Sequence, residues 1–291
     1  MKAKAEFQVT QITENHVQAV KQLIADNPSW SRRRLSIELC RLWNWYSPVG
    51  QMKDMACRDL LLKLERQGQI VLPRKSAGAK QGGNRTSIVQ VPHSTASITG
   101  ELKDLLPLRV EVVEAKRPSW DLFKYLLFRY HYLGFNGTVG ENMKYLVYDR
   151  LSRPLACLLF GSAAWSCQAR DQFIGWDKKT RINHLPYITN NTRFLILPWV
   201  RVPHLASHVL GQICRRILGD WQEKYGHGLL LLETFVEIDR FPGTCYQAAN
   251  WRYVGLTKGR SRNDRCHNPE VPVKAVYLYP LAKRLPGGGL R

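Results

Sequence analysis

The sequence predicts an α+β protein in two parts: a helical N-terminal domain and, behind a basic linker, a mixed-sheet domain. Three observations predict it. Apolar residues recur at helical spacing up to Arg66. A Gly-rich, basic stretch without periodicity follows Pro73. Beyond residue 100, short apolar blocks alternate with helical patterns, and two early blocks flank a turn, which argues for a mixed sheet. A chain of 291 residues has room for two domains, and a 44% hydrophobic composition is enough to bury real cores.

Taken in order, Val17, Val20, Leu23 and Ile24 share one helical face, and Asn27-Pro28 ends that helix. Ser31 caps a second helix through Leu42. Ser47-Pro48-Val49-Gly50 reads as a turn. A third helix runs from about Lys53 to Arg66, with Met55, Leu60, Leu61 and Leu64 as its apolar positions and Gly68 as its stop. Residues 69–73 then read as a short strand. Three helices followed by a strand outline a winged helix-turn-helix over residues 1–73. In that arrangement the third helix enters the major groove and the strand opens the wing. Lys53, Arg58 and Lys63 would face DNA. A basic three-helix interaction domain is the rival reading.

Residues 74–100 are read as a flexible linker or a phosphate-touching arm, with Arg74 and Lys75 among its cations. The second domain, 101–291, opens with a strand candidate at 108–113 and a helix capped by Ser119 that runs to Tyr130. Tyr145 to Tyr148 and Leu155 to Phe160 form a hairpin around Asp149–Pro154. Residues 177–188 read as helix, 193–200 as strand, and 205–225 as a long amphipathic helix carrying Leu210, Ile213, Ile217 and Trp221. The block Leu229–Leu232 starts a buried strand that carries Glu233. After the Pro242-Gly243 turn, Thr244 caps a short helix. Strands at 252–256 and 274–281 close the domain.

Charge is the most informative part of the composition. Forty-three Lys and Arg against 23 Asp and Glu leave a net +20, an excess that points to a polyanionic partner, DNA before RNA. Residues 28–85 hold twelve Lys/Arg and four Asp/Glu, and residues 251–291 hold nine against two. Seven cysteines, an odd number without a Cys-x-x-Cys, fit a reducing cytosol better than a disulfide framework. The first residues lack a signal-peptide apolar core. No apolar run approaches the roughly 18 residues that a membrane span needs.

The chemistry-bearing residues gather around Glu233. Asp171, Glu233, Glu237 and Asp239 are the acids to consider for magnesium-assisted phosphodiester chemistry. On one continuous strand Glu233 and Glu237 lie roughly 13 Å apart, so Asp171 with Glu233 is the better metal pair. Tyr246 or Cys245 could act as a nucleophile only beside a base, and Cys245 on a short apolar helix is more often buried and inert. Asn190, Asn191 and Arg193 either cap a strand or read phosphate. Lys258, Arg260, Arg262 and Arg265 form a basic loop. Trp165, Trp176 and Trp251 either stack on unpaired bases or pack in the core. One pocket is expected to hold Asp171, Glu233 and the 243–251 turn, with Arg170, Trp176, Asn190, Asn191, Thr244, Cys245, Asn250 and Trp251 around it.

Several ordered runs carry a family resemblance: Tyr130-His-Tyr-Leu-Gly134, Arg170-Asp-Gln-Phe-Ile-Gly-Trp176, Asn190-Asn-Thr-Arg-Phe-Leu-Ile-Leu-Pro198, Glu233-Thr-Phe-Val-Glu237, Gly243-Thr-Cys-Tyr-Gln-Ala-Ala-Asn-Trp251 and Gly255-Leu-Thr-Lys-Gly-Arg-Ser-Arg262. With these, residues from about 100 to 284 closely resemble the DruA family, named for a component of the Druantia anti-phage defence systems. Trp43-Asn-Trp45, Gly50–Arg58 and Gly68–Pro73 also look like that family's leading segment. Relatives occur in defence loci and with transposons. The resemblance therefore implies DNA-directed work in a defence or mobile-element setting, with defence-system or transposon proteins as further partners.

The order strand, loop, long helix, strand, short helix, strand also looks like the core of GNAT acyltransferases. Their coenzyme A pyrophosphate loop compares with Arg201-Val-Pro-His-Leu-Ala206 here. His204 stands in place of a glycine and Pro203 lacks an N–H, so coenzyme A is not expected even if the fold is shared. Three functional readings stay open on the sequence. The first is a DNA-binding protein, the second a magnesium-dependent nickase or strand transferase, and the third an acyltransferase.

Overall fold

The computed structural model describes residues 12–74, 88–115, 117–259, 272–283 and 285–286. Contacts divide the chain into two compact units, Met1–Gly83 and Asn84–Arg291.

In the first unit, α1 (Glu14–Asp26), α2 (Arg32–Leu42) and α3 (Asp54–Arg66) fall where periodicity put them. Ser31 caps α2 as expected, its Oγ accepting from Arg34 N at 3.2 Å. Val20, Leu35, Leu39, Trp45, Leu60, Leu61 and Leu64 form one buried cluster. Met55, expected inside, is 60% exposed, and Cys57 takes the buried position on that face of α3.

Residues 69–73 do not pair as a strand. Ile70 and Leu72 point into the core while Val71 is exposed, an in-out alternation that mimics a strand in sequence. The segment is held instead by side chains. Arg32 donates to Pro73 O at 2.8 Å, Leu72 N donates to Glu65 Oε1 at 3.3 Å, and Arg32 and Glu65 pair at 3.1 Å. The strand-like pairing that does occur here is an isolated antiparallel bridge between Tyr46 and Met52.

The second unit is built on a mixed sheet. Its strands, after the short β1 (Ile98–Thr99), are β2 (Arg109–Val112), β3 (Met143–Tyr148), β4 (Pro154–Ser162) and β5 (Ile188–Ile196). They continue, past the short β6 (Val200–Arg201), with β7 (Leu231–Glu237), β8 (Arg252–Leu256) and β9 (Lys274–Pro280). β1 pairs with β6 in a small parallel sheet, and the other seven run in the order β2-β3-β4-β5-β7-β9-β8. All neighbours in the large sheet are antiparallel except β5 and β7. That parallel pair is in register only at Ile188–Leu231, Thr189–Leu232 and Asn190–Glu233.

The helices are α4 (Pro118–Tyr130), α5 (Gln168–Ile174), α6 (Lys178–His184), α7 (Leu205–Tyr225) and α8 (Thr244–Ala248). Alternation along β7 sorts them. Leu232 and Val236 join the large core with residues of α4 and α7, whereas Leu231 and Phe235 join a smaller one with Cys167, Ile174 and Trp176 around α5.

Three sequence expectations shift. α4 starts at Pro118 with Arg117 at its cap, so Ser119 lies inside the helix. β5 begins at Ile188 rather than 193, because Thr189 and Asn191 are buried and satisfied through their side chains. The later part of the expected linker packs on the second unit: Ile98 is buried, and the His93 ring stacks on Trp199 at 5.4 Å.

Gly243 caps α8 with φ +75°, so Thr244 is the first helical residue and not its cap. A Cβ at 243 would come within 2.5 Å of the Tyr277 hydroxyl, which leaves room for glycine alone.

Candidate functional site

Glu233 lies in β7 opposite Asn190 on one side and Leu278 on the other, with its side chain toward α5. There Arg170, the third residue of α5, meets it at 2.8 Å, and both side chains are fully buried. The second oxygen of Glu233 accepts from Ala164 N at 2.6 Å, and Arg170 donates to Ala164 O at 2.9 Å. Arg170 also donates from Nε to Asp171 Oδ1 at 2.9 Å, and Arg181 of α6 reaches Asp171 Oδ2 at 3.0 Å. The four form a neutral chain of alternating charge. Burial pushes the Glu233 carboxyl above its usual range, with Arg170 opposing it, and burial also works against the Arg170 charge, which the two carboxylates restore.

The structure thus brings Asp171 and Glu233 together, as expected, but with a guanidinium between them. A divalent cation would have to displace Arg170 into a space where it exposes no surface. Among the described residues there is no group of three His, Cys, Asp or Glu arranged to hold a metal. The network instead fixes both backbone polar groups of Ala164. The next residue, Trp165, is 61% exposed.

The other expected residues disperse. Glu237 is mostly buried at the end of β7 and pairs with Arg240 at 2.8 Å, while Asp239 is exposed in the turn that follows. Trp176 is buried on the α5 side, its Nε1 donating to Pro286 O at 2.6 Å. Asn191 and Tyr246 lie across the sheet from Glu233. The Tyr246 hydroxyl donates to Asn191 Oδ1 at 2.7 Å, and Thr234 donates to Asn191 O at 3.0 Å. Burial pushes the Tyr246 phenol up, which disfavours a nucleophilic phenolate. Trp251 is buried against Tyr246, with ring centroids 5.2 Å apart, so it packs the core, while Asn250 is exposed.

The single pocket expected around Glu233 and the 243–251 turn is two separate places. Thr244, Cys245 and Ala248 instead line a cavity of about 310 Å³ with Ile196, Val202 and the first turn of α7. His204 at the start of α7 holds φ +64°, the left-handed conformation that suits glycine, and it is among the residues that line the same cavity. Pro203 precedes it without an N–H, so the cradle that a pyrophosphate would need is short of a donor.

Of the expected phosphate contacts, Lys63, Arg74 and Lys258 are exposed. Arg58 is tied to Asp54 at 2.7 Å, and Lys53 precedes the first residue of α3. Arg193 is half-buried and donates to Gly134 O and Thr192 O. Lys75, Arg260, Arg262 and Arg265 lie outside the described residues. Sequence reasoning missed Arg170 as the centre of the charged network and Arg181 as its outer member. Two adjacent charges in the pattern Gln168-Ala-Arg-Asp-Gln-Phe-Ile174 hid a short helix whose Arg and Asp are both buried.

A family model described as "Druantia protein DruA" matches residues 64–285. No curated protein matches the sequence. Among solved structures, a spermidine N-acetyltransferase from Vibrio cholerae, in complex with CoA and spermine, is 8% identical. The alignment covers 60% of this chain and 95% of that one, with a TM-score of 0.40. An N-acetyltransferase from Staphylococcus aureus Mu50 is 7% identical, covering 60% of this chain and 97% of that one, with a TM-score of 0.35. At these values the likeness carries no argument about ligand or activity.

Proposed function

The chain belongs to the DruA family, and from that premise we propose that it is a DNA-binding protein acting in anti-phage defence or in a mobile element. The observation that carries the reading, beside membership, is charge. The whole chain is +20, and residues 28–85 hold a threefold excess of cations over anions. The first unit supplies a compact three-helix scaffold on which Lys63 and Arg66 are exposed in the last turn of α3. In this reading α3 is the DNA-facing helix of the three-helix unit. The described residues of the second unit contain no helix long and apolar enough to cross a membrane.

We assign the acids to structure in this reading. Glu233 and Asp171 are neutralised by Arg170 and Arg181, and Glu237 is neutralised by Arg240. The fully buried Arg170–Glu233 pair holds the loop that presents Trp165.

The test is a titration of labelled duplex with the full chain at two salt concentrations. Binding driven by phosphate contacts weakens steeply with salt, by roughly 10³-fold or more between 50 and 200 mM for six or more contacts. Absence of binding at the lower salt would sink the DNA reading.

A further inference from the structure

Two loops of the second unit meet at a surface that the roles assigned above leave unused. The first leaves α4 through His131, Tyr132, Leu133 and Gly134. His131 is buried, accepts from Leu133 N at 3.1 Å, and stacks on Tyr132 with centroids 4.9 Å apart. Tyr132 itself is turned outward and is 41% exposed. The second loop leaves β7 and is closed by bonds from Arg240 N and Phe241 N to Glu237 O, at 3.1 and 2.9 Å. It presents Phe241, which is 47% exposed. The rings of Tyr132 and Phe241 stand 5.6 Å apart and tilt by 56°, so they form an open angle and do not cover each other's faces.

One guanidinium lies against this angle, and a second is tied to the loop that carries Tyr132. Arg240 lies over the Tyr132 ring at 5.2 Å, and its Nε is held by Glu237. Arg193 donates to Gly134 O, which ties it to the loop that carries Tyr132. Its other bonded acceptor, Thr192 O, is also a neutral carbonyl, so these bonds leave its charge uncompensated. The one carboxylate bonded within the group, Glu237, is committed to Arg240. Three of the runs that carry the family resemblance converge here, Tyr130–Gly134, Asn190–Pro198 and Glu233–Glu237.

The half-exposed ring of Phe241, with the tilted Tyr132 ring and guanidinium groups near it, suits a ligand with a planar π-face next to a negative charge. A nucleotide with its base unpaired has both, whereas a base inside a duplex has its face already covered. We propose that Phe241 stacks on an unpaired nucleobase beside the exposed edge of Tyr132 while Arg193 and Arg240 neutralise the adjacent phosphate, making the second unit a binding site for single-stranded nucleic acid. This rests on the DNA-binding reading and specifies which form of the polymer the second unit takes.

The experiment uses the full chain with two probes of one sequence, a labelled single strand carrying 2-aminopurine and a blunt duplex. Wild type should quench the 2-aminopurine. Tyr132→Ala and Phe241→Ala should each weaken single-strand binding about 5- to 100-fold and abolish the quench, leaving duplex affinity within about twofold. Tyr132→Leu and Phe241→Leu keep apolar volume without the π-face and should behave like the alanines. They serve as the test if an alanine variant melts early. Equal single-strand affinity and equal quenching in wild type and the leucine variants would overturn the proposal. Duplex binding in that same experiment would leave the DNA-binding reading intact, whereas no binding of either probe by wild type would remove both. Self-association seen by light scattering and abolished by the ring variants would assign the surface to a second copy of the chain, and would also overturn it.

Discussion

Nη1 of Arg170 lies 2.8 Å from Oε2 of Glu233, and neither side chain exposes any surface. Two opposite charges at that depth are stable only as a pair, because each alone would carry its full desolvation cost. The pair is also the clamp on Ala164, so its loss would free the loop that carries Trp165.

Glu233→Gln should therefore behave as a structural lesion. It removes one charge of a fully buried pair, and the expected loss is about 3–5 kcal/mol in urea or thermal melts. Loss of function should track the unfolded fraction, with DNA affinity of the folded protein unchanged. A variant that melts like wild type but is functionally dead would point to chemistry at Glu233 instead.

Tyr246→Phe separates a structural hydroxyl from a nucleophilic one. The hydroxyl bonds Asn191 Oδ1 at 2.7 Å in the core between α8 and β5. Removing it leaves one buried acceptor short of a donor, at a cost of about 1–2 kcal/mol. DNA binding should be unaltered once the lower melting temperature is allowed for.

These two residues show how far the sequence could be read. Helix positions in the first unit and the hairpin, long helix and last strands of the second followed from periodicity, since their apolar faces are regular. The strand at 69–73 failed because alternating burial does not require a pairing partner, and Arg32 and Glu65 hold that segment from the side. α5 was invisible because its buried positions include Arg170 and Asp171, and a buried charge reads as a surface residue until its partner is known. The nearness of Asp171 to Glu233 was legible. The guanidinium between them was not, since it depends on which face α5 turns to β7.

His131 gives a pH signature. Burial, with Arg193 adding repulsion, depresses its pKa from the usual 6.5 to about 4. The unfolded chain binds the proton more readily than the folded one between those values, so stability rises with pH across that window. The contribution is complete above about pH 6.5 and is lost progressively as pH falls toward 4. It should amount to about 1–2 kcal/mol after allowance for partial solvent screening. Melts of wild type and His131→Asn across that range should converge at the acid end. Parallel curves would show that His131 does not titrate differently in the folded state.

His204 offers a test of backbone strain. Its φ of +64° places a side chain in the left-handed region at the start of α7, where a non-Gly residue costs about 1–2 kcal/mol. His204→Gly relieves that strain but gains unfolded-state entropy, so the net effect should be neutral to about 1 kcal/mol stabilising. A loss of more than about 1 kcal/mol would mean that the imidazole contributes packing in the cavity that His204 lines.

The exposed end of α3 is the place where the DNA reading of the first unit can fail on its own. Lys63 and Arg66 lie in the last turn of the helix and both reach solvent, while Glu65 between them is committed to Arg32. Replacing either by alanine should leave the fold intact, since neither side chain packs in the core. If α3 lies against DNA, each loss should weaken duplex binding uniformly across sequences and lower the slope of log affinity against log salt by about 1. Single-strand quenching through Tyr132 and Phe241 should persist in both variants. Unchanged affinity and slope in the Lys63→Ala/Arg66→Ala double variant would remove α3 from the interface and favour a basic interaction domain in the first unit.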